Sequence, residues 1–159
     1  MLNLDMQLSL EVAGKEFKGN LREIVKISEA DLTEEFIKQP SLYAWFATLC
    51  EFASAEVETK KMNLSILYAN LDAEKRAEFA VSAKKVTEAV ISGAVETDAR
   101  HIDAKTSLIE AGRQYGILKG IVKALEQRKD MLIQVGSTKR QEMSLSDFQI
   151  NLDKVRKNQ

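Results

Sequence analysis

Apolar and polar positions change their period along this chain. Gln7-Leu-Ser-Leu-Glu-Val12 alternates with the period of two that marks a half-buried strand. Ala13-Gly-Lys15 can turn and Glu16-Phe-Lys18 can return, so a small N-terminal β-hairpin is expected. Asn20 followed by Glu23 reads as a helix start with a capping carboxylate, opening a short helix to about Ile27. Ser28 can cap another, running through Asp31 and Phe36 to Gln39.

Longer helical patterns follow. Pro40, the only proline, fits the first turn of a helix, where a missing N–H costs nothing. Nothing breaks that helix before about Phe79, and no glycine lies between Asn20 and Ser92. Phe46, Leu49, Ala53, Val57, Leu64, Leu67 and Leu71 fall on one stripe, interrupted by Lys60. Such a helix would be a rod of about 60 Å, which needs a partner helix from its own chain or another. A second helical stretch is expected from about Ser82 to Asp98, with Gly93 as its weak point. The third runs from about Ala99 to Val135 and ends at Gly136, a natural C-terminal cap. With no proline between them, the two can also be one helix. Leu108, Ala111, Tyr115, Leu118, Val122, Leu125 and Leu132 form a heptad seam broken only by Lys129. After polar Ser137-Thr-Lys-Arg-Gln, the residues Leu145, Phe148, Ile150, Leu152 and Val155 make an amphipathic tail, expected to be flexible alone and to pack on a neighbour.

The pattern predicts a mainly α fold. Residues 40–136 form a long antiparallel, coiled-coil-like helical hairpin. Residues 1–39 hold the β-hairpin and short helices, and 137–159 form the tail. Whether the helices pair within one chain or swap between chains stays open. So many uncovered seams point to a homo-oligomer.

Composition agrees: 159 residues suit one domain, and 45% hydrophobic with 30% charged residues is typical of soluble helical proteins. No apolar run approaches the ~20 residues of a membrane span, and Met1-Leu-Asn-Leu-Asp-Met-Gln has no signal-peptide pattern. Cys50 has no second cysteine to pair with, which fits a reducing compartment; the cytoplasm is expected. The net charge of −1 is unevenly spread. Residues 1–59 carry five basic and eleven acidic side chains (−6), and residues 105–140 carry eight and three (+5). That asymmetry supports nucleic-acid contact or head-to-tail stitching of subunits, or is simply a solvated face.

Candidate chemistry is sparse. One histidine, His101, and one cysteine cannot supply a zinc set, and no P-loop or nucleophile elbow is present; an enzyme is not expected, nor a metal or cofactor. Gly112, Gly116 and Gly120 lie four apart, each costing about 1 kcal/mol relative to alanine inside a helix. They suit close helix packing, a ligand-facing groove, or a locally softened helix. Packing is assigned to Leu108, Gly112, Tyr115, Gly116, Leu118, Gly120, Val122 and Leu125. Phe36, Tyr43, Trp45, Phe46 and Phe52 cluster, as an aromatic core or, where exposed, as docking or base-stacking candidates. The basic candidates are Lys60, Lys61, Lys84, Lys85, Arg113, Lys119, Lys123, Arg128, Lys129, Lys139 and Arg140. Lys119 and Lys123 stand one turn apart. Repeated around an oligomer, such patches add up to a phosphate track.

Tyr43-Ala-Trp45-Phe46 opens the first long helix, Lys85-Val-Thr-Glu-Ala-Val90 follows, and Tyr115-Gly-Ile-Leu-Lys119 precedes Ala124-Leu-Glu-Gln-Arg128-Lys-Asp-Met-Leu-Ile-Gln134. Over roughly residues 40–136 this order resembles the phage recombination mediators of the UvsY type. The resemblance implies a helical hairpin that assembles into rings or other oligomers and binds single-stranded DNA. It also implies contacts with a recombinase and a single-strand binding protein, helping the first displace the second without hydrolysing anything. One departure is visible. The stretch matching a basic patch late in the family's first long helix, Asn63-Leu-Ser-Ile-Leu-Tyr-Ala-Asn-Leu71, has no Lys or Arg, although Lys60 and Lys61 lie just upstream.

Two other classes fit the residues. A helical adaptor or inhibitor would bind a host or phage protein through the acidic front or the aromatic cluster and need no DNA. A virion or scaffold component would be found in particles.

Overall fold

The computed structural model describes residues 7–12, 14–81 and 86–157, without the side chains of Lys15 and 151–157. Its elements are β1 (Gln7–Val12), β2 (Lys15–Asn20), α1 (Leu21–Val25), a 3-10 turn (Glu29–Asp31), α2 (Leu32–Val81), α3 (Glu88–Glu96) and α4 (Ala99–Lys157). The fold is mainly α, a long antiparallel helical hairpin with a small two-stranded sheet.

In β1, Leu8, Leu10 and Val12 are buried while Gln7, Ser9 and Glu11 face out, as the alternation predicts. The turn places Gly14 at φ +70°, a conformation that strains any residue with a Cβ. Asn20 Oδ1 accepts from the Arg22 N–H at 2.9 Å, so the predicted cap of α1 is in place. The next cap is Asp31 rather than Ser28: its Oδ1 accepts from the Glu34 N–H at 3.1 Å and opens α2.

Pro40 is therefore not in a first turn. It sits inside α2, where it removes the bond to the Phe36 carbonyl. Thr97 and Asp98 separate α3 from α4, so the two are not one helix. The Thr97 N–H donates to Gly93 O at 3.0 Å, and Asp98 Oδ1 accepts from the Arg100 N–H at 3.0 Å to cap α4. The start expected at Ser82 lies outside the described residues. Gly136 ends nothing: α4 runs through it to Lys157, because Gly136 is used for close approach to a ring rather than for a left-handed cap. The tail is thus helical, with exposed Met143, Leu145, Phe148 and Ile150; the side chains of Leu152 and Val155 lie outside the described residues.

Two compact units divide the described chain. The first holds Gln7 and Leu8, Lys18–Phe46 and the residues from Gly120 onward. Its core is Phe46, Ile121, Leu125 and Leu132. Arg128 is buried with them. Its guanidinium donates to Glu35 Oε2, to Gln39 Oε1 and, at 3.0 Å, to the Lys26 carbonyl, while Gln39 Nε2 donates to Leu125 O at 2.8 Å. The seam here passes through Ile121 and Arg128, not Val122 and Lys129, which are half-buried and exposed. Ala111, Leu118, Leu125 and Leu132 keep the seven-residue spacing, and the second row of the seam takes the neighbouring positions. The second unit comprises the described residues of Ser9–Phe17 and Ala47–Lys119. Ala53, Leu71, Ile91, Val95, Ala111 and Leu118 are buried there. The Gln114 side chain takes the Glu11 N–H of β1 at 3.1 Å, so α4 satisfies part of the open strand edge.

Candidate nucleic-acid interface

The predicted cations fare differently. In the second unit, Lys60 interrupts the α2 stripe yet turns inward, half-buried, with Nζ donating to Ser107 Oγ at 2.8 Å. Lys61 is exposed and pairs with Glu58 at 2.7 Å. Arg113 is exposed and held by Glu110 at 2.6 Å, a pair that pulls the Glu110 carboxyl down to about 2. Lys119 is exposed on α4, its Nζ 5.9 Å from the centre of the Tyr115 ring, a cation–π arrangement. Lys105, also exposed, was missing from the sequence candidates because it stands alone between acidic and apolar neighbours.

In the first unit, Lys123 and Arg140 are exposed. Lys129 is exposed beside Asp130 at 3.4 Å, outside the seam. Lys139 donates to the Glu29 carbonyl at 2.8 Å and so helps hold the 3-10 turn. Arg128 is struck from the candidates: its side chain is 5% exposed and its guanidinium is already bonded to Glu35, Gln39 and the Lys26 carbonyl. Its charge made it look like a surface residue, but the planar fork of arginine can satisfy a buried carboxylate, an amide and a carbonyl together. Lys84 and Lys85 lie outside the described residues.

The packing candidates separate as well. Leu118 and Leu125 are fully buried, and Leu108, Tyr115 and Val122 half-buried. A Cβ added at Gly112, Gly116 or Gly120 would meet nothing within 4 Å among the described residues, so none of these packs against the glycine row. Of the aromatic cluster only Phe46 is buried, with Trp45 edge-on to it at 4.8 Å between centroids. Tyr43 donates to Glu126 Oε1 at 3.2 Å, and that bond raises its pKa. Trp45 itself is 45% exposed and lines a cleft of about 640 Å³ with Ile24, Leu42, Lys26 and Lys38. Burial pushes the Cys50 thiol above its usual range, which suits packing rather than nucleophilic attack.

An ion-pair cluster joins α2, α3 and α4 within the second unit. Arg76 bonds Asp72 at 2.7 Å and Glu88 at 2.5 Å. Arg100 bonds Glu74 and Asp98, both at 2.9 Å. Lys75 stands 3.7 Å from Asp98. These cations are neutralised locally and serve the corner.

Among the described residues, no helix is long and apolar enough to cross a membrane. No family model matches the chain, and no curated protein matches it in sequence. Among solved structures, it is similar to the crystal structure of the bacteriophage T4 recombination mediator protein UvsY, at a TM-score of 0.52 and 16% identity. The match covers 77% of this chain and 92% of that one. At that identity the likeness speaks for architecture, and the chain has a UvsY-like helical fold.

Proposed function

We propose that this chain is a non-enzymatic recombination mediator. Assembled as a homo-oligomer in the cytoplasm of a phage-infected host, it binds single-stranded DNA and helps a recombinase displace single-strand binding protein. The observation that carries this reading is the fold likeness, which spans nearly all of a protein whose name states that role. The exposed cations of Lys123 and Arg140 supply the chemistry. Each can displace a condensed counterion from a phosphate, and an oligomer multiplies a contribution that is small in one copy.

Fluorescence anisotropy with a labelled oligothymidylate tests the reading. Affinity should fall linearly on logarithmic axes as salt rises, with a slope of about −0.7 per phosphate neutralised. Undetectable or salt-independent binding by the assembled protein would refute it.

One observation favours a second reading, an adaptor. The cleft beside Trp45 sets an exposed indole next to Ile24, Ile37 and Leu42, with the Arg128–Glu35 pair also in its lining, a mix that suits a protein partner. A pull-down from nuclease-treated host lysate that retains a partner while the protein binds no oligonucleotide would favour it.

A further inference from the structure

A second seam runs along α2, and none of the described residues covers it. Phe52, Ala55, Thr59, Met62, Ile66 and Ala69 follow steps of three and four, and all are exposed. Phe52, Met62 and Ile66 expose 53%, 57% and 53% of their surface. No charge interrupts the row. Its one hydroxyl, Thr59 Oγ1, is spent on Ala55 O at 2.9 Å, which leaves the methyl group outward. A monomer gains nothing from such an apolar ridge, which marks a surface meant for a partner.

The partner's chemistry is written on α4 of the same unit. Ile102 and Ile109 expose 50% and 66% of their surface. Thr106, on the same face, likewise turns its hydroxyl back to Ile102 O at 2.9 Å. Space above Gly112 and Gly116 is open. Between Ile109 and Gly116 stands exposed Arg113, held by Glu110, so the face is low at the glycines and cationic beside them. The charges also match: exposed Glu51 and Glu58 flank the ridge, and exposed Lys105 and Lys119 flank the α4 face. Glu58 pairs at the surface with Lys61, a pair that is easily exchanged.

We infer that the α2 ridge of one copy docks on the α4 face of the next, a head-to-tail contact on which the oligomer of the reading above rests. Repeated in one direction from copy to copy, such a contact is heterologous and closes into a ring where the rotation allows.

Two blocked variants test it by light-scattering mass. Met62→Glu spoils the ridge and leaves the α4 face; Ile109→Glu does the reverse. Each alone should run as a monomer, and a 1:1 mixture should give a heterodimer, because one good ridge meets one good face. Recovery in the mixture also shows that both variants are folded, and circular dichroism of each should match the wild type. As a milder probe, Glu58→Lys should weaken assembly several-fold at low salt and less at high salt. A monomeric wild type overturns the inference. So does assembly of Ile109→Glu alone, a mixture of helical monomers that stays monomeric, or Glu58→Lys assembling as the wild type does. If the wild type assembles through these faces yet binds no oligothymidylate, the mediator reading fails and the contact stands.

Discussion

A Cβ built on Gly136 would lie 2.9 Å from Cζ of Phe36, closer than two carbons can stand. The buried glycine lets the ring of α2 lie directly on the backbone of α4 in the first unit. Alanine at Gly93, inside α3 with open space around it, should stabilise by about 1 kcal/mol through helix propensity alone. Gly136→Ala should give much less, or none, because Phe36 must shift. Urea unfolding checks this, and Phe36→Ala introduced with Gly136→Ala should restore part of the missing gain relative to Phe36→Ala alone.

Arg128 is expected to matter for stability and not for DNA. Arg128→Ala leaves the Glu35 carboxylate and the Lys26 carbonyl without their buried donor, a loss of about 3 kcal/mol or more. A lower urea midpoint with an unchanged salt slope of DNA binding, measured where the variant is folded, is the expected pair of results.

Lys123 should behave in the opposite way. Lys123→Ala should leave the urea midpoint nearly unchanged, since the side chain is exposed. The salt slope should become shallower by about 0.7 for each phosphate that is no longer neutralised. Lys60→Met should leave the slope alone, because its ammonium already serves Ser107.

The α3 corner should loosen in acid. Hydrogen bonds from Arg100 hold Glu74 and Asp98 below the usual carboxylate range, and Arg76 does the same for Glu88. A depressed carboxylate contributes stability that is complete above its unfolded value and is lost as pH falls through its folded one. Hydrogen exchange at the amides of Glu88–Glu96, corrected for intrinsic rate, should therefore show more opening below about pH 4 than at pH 6. Arg100→Gln should flatten that dependence.

The local rules of the chain were legible in its sequence. The alternation in Gln7–Val12, the Asn20 cap, and the α2 stripe of Phe46, Ala53 and Leu71 depend on neighbours within a turn or a strand, and each stands as predicted. The candidate interface was half legible: Lys119 and Lys123 stand exposed, while Lys60 turns inward. What only the tertiary structure decided are the places where a distant partner changes the meaning of a residue. Gly136 reads as a helix stop until Phe36 lies across it, and Arg128 reads as surface until Glu35 and Gln39 enclose it. A periodicity cannot distinguish adjacent phases of one seam either, so Ile121 and Arg128 replaced Val122 and Lys129. Helix propensity and period act over a few residues. Burial of a charge, or the use of a missing side chain, is set by atoms about a hundred positions away.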